Sequence, residues 1–109
     1  MIQVLSDDGP KLFEAIQRDV ELNRIKDWEL DEQGDYTYAN APWKNLAWMR
    51  VRKTTSGLRI NIIGNQQGDM SDETYAVYHS RFVEMLVLYF DKFFDSALVT
   101  ALGSESDLV

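Results

Sequence analysis

His79 is the single histidine of the chain and the first place to look for chemistry. Its surroundings read Tyr75-Ala76-Val77-Tyr78-His79-Ser80-Arg81, with no carboxylate four residues before or after it. A metal site needs several ligands held by outer hydrogen bonds. This spacing supplies one, so His79 reads as a hydrogen-bonded helix residue, and no metal or cofactor is expected. Glu84 with Tyr78 or His79 is the acid–base equipment an enzyme would have to use. It would need a cleft that raises a carboxylate pKa strongly. Nothing in the sequence calls for one, and no catalytic residue is assigned. Asp31, Glu32 and Asp35 gather around Gly34 but lack the long alternation of oxygen ligands that a calcium loop requires. They read as an acidic hairpin tip. No serine or threonine sits in a nucleophile elbow, and no glycine pattern matches a phosphate loop. The chain has no cysteine, so thiolate chemistry and disulfides are impossible.

The other candidate group is cationic. Residues 41–68 carry Lys44, Arg50, Arg52, Lys53 and Arg59 and no acid, between flanks rich in Asp and Glu. Alternation along two strands puts Trp48, Arg50 and Arg52 with Arg59 and Asn61 on one sheet face. An aromatic beside three guanidinium groups can stack on a flat ligand or grip an anion. The same arginines can instead pair across strands with Glu29, Asp31 or Asp35. Both readings stay open at this level.

The elements that would position these residues follow from pattern. A first helix is predicted from about Asp8 or Pro10 to Asn23. Ser6, Asp7 and Asp8 offer N-cap oxygens, Pro10 suits the first turn, and Leu12, Phe13, Ile16 and Val20 form a stripe. Residues 28–31 and 35–38 flank a Gly34 turn and read as a short hairpin. Leu46 to Lys53 and Leu58 to Ile63 give the strongest β signal, around the turn at 54–57. Ala47, Met49 and Val51, with Leu58, Ile60 and Ile62, are the expected core rows. Ser71 is the expected N-cap of a last helix, with Asp72 and Glu73 in its positive first turn, running to about Leu102. The prediction is therefore an α+β two-layer domain over residues 1–103. Its antiparallel sheet of three to four strands lies between an N-terminal helix and a long C-terminal helix, in the order α-β-β-β-β-α. Residues 104–109 are expected to be a disordered tail.

The α-β-β-β-α order is also that of double-stranded RNA-binding domains. That family carries a basic cluster at the start of its second helix. Ser71-Asp72-Glu73-Thr74 stands there and would repel phosphates, so the order is read as coincidence.

The last helix carries the functional expectation. A helix of about 30 residues is ~45 Å long, whereas a six-to-eight-residue strand spans ~20–27 Å. Phe82, Leu86, Tyr89, Phe90, Phe93 and Phe94 make it apolar over most of its circumference, which calls for burial on more than one side. A second subunit is the expected cover, with these residues as the interface. The leading expectation is a small, acidic, noncatalytic interaction domain that is homodimeric through this helix. Its build is that of bacterial secretion chaperones and immunity proteins, by analogy of size and charge alone. The alternative is a ligand- or anion-binding module centred on Trp48, Arg50, Arg52, Arg59 and Asn61.

Composition bounds these readings. A chain of 109 residues with 45% hydrophobic and 12% aromatic content is a single folding domain. A net charge of −7 disfavours nonspecific nucleic-acid binding. The apolar stretch 82–102 holds Glu84, Asp91, Lys92 and Asp95, too much charge for a membrane span. The first ten residues lack a signal-peptide pattern. A cytoplasmic protein with a protein partner or a second copy of itself, and with no nucleic acid or membrane, is expected.

Overall fold

The computed structural model describes residues 1–103 and Asp107. Its elements are β1 (Ile2–Leu5), α1 (Gly9–Glu21), β2 (Trp28–Leu30), β3 (Asp35–Tyr38), β4 (Ala47–Thr54), β5 (Gly57–Gly64), α2 (Asp72–Phe90), a 3₁₀ turn (Asp91–Phe93) and β6 (Ser96–Val99). The six strands form one antiparallel sheet in the order β2-β3-β4-β5-β1-β6. The α+β class and the antiparallel sheet are as expected from sequence. The sheet has six strands rather than three to four, because both ends of the chain add one.

Local chemistry explains most of these elements. Asp8 caps α1 by accepting the Lys11 N–H at 3.1 Å, with Pro10 in the first turn. Ser71 caps α2, its Oγ accepting the Thr74 N–H at 3.0 Å. The expected core rows are buried: Ala47, Met49 and Val51 on β4, and Leu58, Ile60 and Ile62 on β5. Leu12, Ile16 and Val20 of α1 and Tyr78, Phe82, Leu86 and Phe90 of α2 join the same core. Trp28 seals the α2 end of the core. Its ring lies 5.0 Å from Phe82 and 5.8 Å from Tyr78, both edge-on.

The last helix departs from expectation. It ends at Phe90, and Phe94 is already extended. The Ser6 hydroxyl donates to the Phe93 carbonyl at 2.6 Å, and the Asp95 N–H donates to the Leu5 carbonyl at 2.8 Å. These contacts peel the chain away from the helix and lay it along β1 as β6. Nineteen helical residues span about 28 Å, which matches the eight-residue strands below them. The predicted mismatch between a long rod and a short sheet is therefore absent.

The inserted strand β1 depends on one glycine. Gly57 has φ of +152°, and a Cβ there would stand 2.0 Å from the Val4 carbonyl oxygen. Only glycine lets β5 leave its turn this close to β1. Asp107 belongs to the tail expected to be disordered, and it is buried; residues 104–106 and 108–109 lie outside the described residues.

Candidate functional site: the open sheet face and the β6 edge

Among the described residues, both helices pack against one face of the sheet and neither covers the other. Register organises the open face into rows that run across the strands. Trp48 lies opposite Ile63. In the next row Asp35 faces Arg50, which faces Asn61. In the third, Arg52 faces Arg59, Arg59 faces Gln3, and Gln3 faces Leu98.

The middle row is satisfied within the chain. Arg50 donates to both oxygens of Asp35, from Nε at 2.9 Å and from Nη2 at 2.8 Å. Asp35 is buried, and its hydrogen bond is the main cause that raises the Arg50 pKa above the ordinary value. Such a bidentate pair occupies the guanidinium fork. Asn61 is buried as well, and its amide donates to Asp107 Oδ1 at 2.9 Å, where the Ile62 N–H also arrives at 3.0 Å. Arg50 and Asn61 are thus engaged within the chain. Trp48 is half-buried in a cleft of about 460 Å³ whose other walls include Asp31 and Glu32, so this end of the face is acidic. Arg52 and Arg59 are exposed, and among the described residues neither has an ion-pair partner. Of the five residues expected to bind a ligand, Arg50 and Asn61 are held within the chain, Trp48 lines the cleft, and Arg52 and Arg59 are exposed.

The aromatic residues expected at an interface are mostly core. Phe82, Leu86 and Phe90 are buried within their own chain, because α1 and Trp28 cover the stripe that a second subunit was expected to cover. Phe93 and Phe94 are half-buried, with the Lys11 ammonium 5.7 Å from the Phe93 ring centre. Tyr89 alone of the six is exposed.

The exposed apolar surface lies at β6 instead. From Ser96 to Leu102 the chain carries no charge. Leu98 is 60% exposed, Leu102 79% and, on α2, Val87 54%. An open groove of about 680 Å³ runs between α2 and this segment, lined by Tyr75, Ala76, Val83, Val99 and Leu102 among others. β6 is a sheet edge, and so is β2. β2 is three residues long and sits among Lys26, Asp27, Glu29 and Asp31, which blunt it against pairing. Among the described residues, β6 carries no charge within Ser96–Val99, with Asp95 just before it.

Sequence reasoning also missed a polar cluster around the chain's first residue. The Met1 α-amino group lies 2.8 Å from Tyr75 Oη, 2.8 Å from His79 Nε2, 3.0 Å from Thr100 Oγ1 and 3.4 Å from Asp107 Oδ2. His79 Nδ1 is 2.8 Å from the Tyr75 carbonyl. That carbonyl can only accept, which places the proton on Nδ1 and leaves Nε2 to accept from the amine. Burial, with the nearby amine charge adding to it, lowers the His79 pKa to about 4. The imidazole is buried, and Glu84 points to solvent beside Arg81. Tyr78 lies in the core, its hydroxyl donating to the Trp43 carbonyl. The structure therefore does not bring Glu84 together with Tyr78 or His79. Among the described residues no group of three or more His, Asp or Glu could hold a metal ion. Nor, among them, is any helix long and apolar enough to cross a membrane. Set against known proteins, the chain matches no family model, no curated protein and no solved structure.

Proposed function

We propose that this chain is a noncatalytic interaction domain that self-associates by pairing β6 with β6 of a second copy. The observation that carries this reading is the uncharged apolar edge. Its hydrogen-bond parity supplies the geometry. Ile2 faces Val99, and the Thr100 N–H donates to the Met1 carbonyl at 3.0 Å. In an antiparallel ladder this directs the N–H and C=O of residues 98 and 100 toward β1. Those of Ala97 and Val99 point away from β1. A two-fold axis through Leu98 would join Ala97 of one copy to Val99 of the other, and the reverse, in matched backbone hydrogen bonds. The same patch meets itself, as an isologous contact requires. Leu98 would face its counterpart across the axis at a Cα separation of roughly 4.5 Å, the spacing of a non-hydrogen-bonded pair. On the helix side, Val99 would sit beside Ala97 of the second copy, with Val87 and Leu102 of each copy flanking the seam.

A thiol placed on the axis tests this geometry. The chain has no cysteine, so a Leu98→Cys variant carries one. Disulfides form at Cα separations of roughly 4.4–6.8 Å, a range that includes the expected one. Leu98→Cys should cross-link into dimers under mild oxidation far faster than Leu5→Cys, which is exposed on the same face but off the axis. Equal rates for the two variants would overturn the proposal.

A further inference from the structure

We infer that Arg52 and Arg59 together hold the carboxylate of an acidic segment of a protein partner. The two arginines lie on β4 and β5, away from the β6 edge, although the trough beside them includes Leu98, which edge pairing also uses.

The two residues face each other across β4 and β5, with side chains on the same open face. Like charges directly opposite in a sheet repel. The chain has 18 acidic residues, and among the described ones none forms an ion pair with either arginine. The neighbouring cations are placed differently. Arg50 grips Asp35, Lys44 lies 3.1 Å from Glu29, and the Lys53 ammonium sits 5.0 Å from the Phe13 ring centre. The repulsion at Arg52 and Arg59 is relieved when an oxyanion bridges the two forks. Planar guanidinium groups match a carboxylate in that role.

The adjoining surface narrows the ligand. Arg59 borders a trough of about 310 Å³ that is also lined by Gln3, Leu5, Ser56, Ser96 and Leu98. One cationic end followed by an amide and two exposed leucines suits a peptide bearing a carboxylate next to apolar side chains. A nucleic-acid strand would need a track of cations for its successive phosphates. The row offers two cations and then none.

The probe is an N-acetylated, C-amidated hexapeptide of alternating leucine and glutamate, titrated into the isotope-labelled protein and followed by amide NMR shifts. Shifts should concentrate at Gln3, Arg52 and Arg59. Arg52→Gln and Arg59→Gln should each weaken the peptide about tenfold or more, the scale of one lost charge-assisted contact. Lys26→Gln, on the far edge, should leave binding unchanged. Without peptide at low salt, both arginine variants should melt at or above the wild-type temperature, because a repulsion has been removed. Unchanged affinity in the arginine variants would overturn the inference. So would a lowered melting temperature with affinity intact, which would make the arginines supports of the fold. Tighter binding of inorganic phosphate than of the peptide would overturn the assignment to a carboxylate.

Discussion

Acidification should destabilise this fold well before its carboxylates are fully protonated, and His79 is the cause. The unfolded chain binds a proton at this residue near the ordinary histidine value of 6.5, while the folded chain does so near 4. Between those values the unfolded state holds more protons, so stability rises with pH across the window and is lost as pH falls through it. At ~1.36 kcal/mol per unit, the full difference is about 3 kcal/mol, of which about 2 kcal/mol is gone by pH 5. The Met1 amine acts in the same direction at higher pH. Burial lowers its pKa below the ordinary 8.0 despite the attraction of Asp107, so stability should still climb as pH approaches 8. A typical domain is stable by only ~5–15 kcal/mol, so the histidine effect is large. Urea unfolding at pH 7, 5.5 and 4 measures it. The wild type should lose about 3 kcal/mol more between pH 7 and 4 than a His79→Gln variant, whose side chain does not titrate. The His79 ring protons should titrate by NMR with a midpoint near 4. A midpoint near 6.5, or equal losses in the two proteins, would refute the buried, neutral assignment.

Two further substitutions probe the packing. Gly57→Ala places a methyl group against the Val4 carbonyl at a backbone angle that L-residues rarely adopt. It should cost about 2–4 kcal/mol in chemical denaturation and raise hydrogen exchange in β1 before the other strands. Phe82→Ala empties a fully buried site beside Trp28 and Tyr36 and should cost about 3–5 kcal/mol, whereas the half-buried Phe94→Ala should cost about 2 kcal/mol or less. Similar small losses for both would mean that the Phe82 stripe is surface rather than core.

Where local pattern and final contacts agree, the sequence is readable. The alternation of Ala47, Met49 and Val51 against Leu58, Ile60 and Ile62 defined the buried face. Ser71 marked the start of the last helix, and Asp8 was one of three cap oxygens the sequence offered for the first. The Asp35–Arg50 pair was one of the cross-strand pairings that alternation allowed. The failures are long-range. Phe93, Phe94, Ala97 and Ala101 continue a helical period, and nothing local stops it at Phe90. The stop comes from Ser6 and Leu5, whose groups take the chain onto β1. Four residues at Ile2–Leu5 are too few to declare a strand, and their pairing with both β5 and β6 depends on partners far along the chain. The apolar breadth of α2 suggested a second subunit because the contribution of Trp28 and α1 to its cover is tertiary. The anchoring of Asn61 by Asp107 and of Met1 by His79 joins residues 46 and 78 positions apart, beyond any periodicity. Of the predicted ligand residues, Arg50 and Asn61 are engaged within the chain, while Arg52 and Arg59 face each other exposed on the sheet.

Self-association through the last strand is tested most directly by sedimentation equilibrium of the wild type beside a Leu98→Lys variant. At tens of micromolar the wild type should sediment at twice the chain mass. The variant, with a charge set against its own copy on the two-fold axis, should sediment at the single-chain mass with an unchanged circular dichroism spectrum. A wild type that stays at the chain mass, or a dimer indifferent to lysine at that position, would contradict edge pairing.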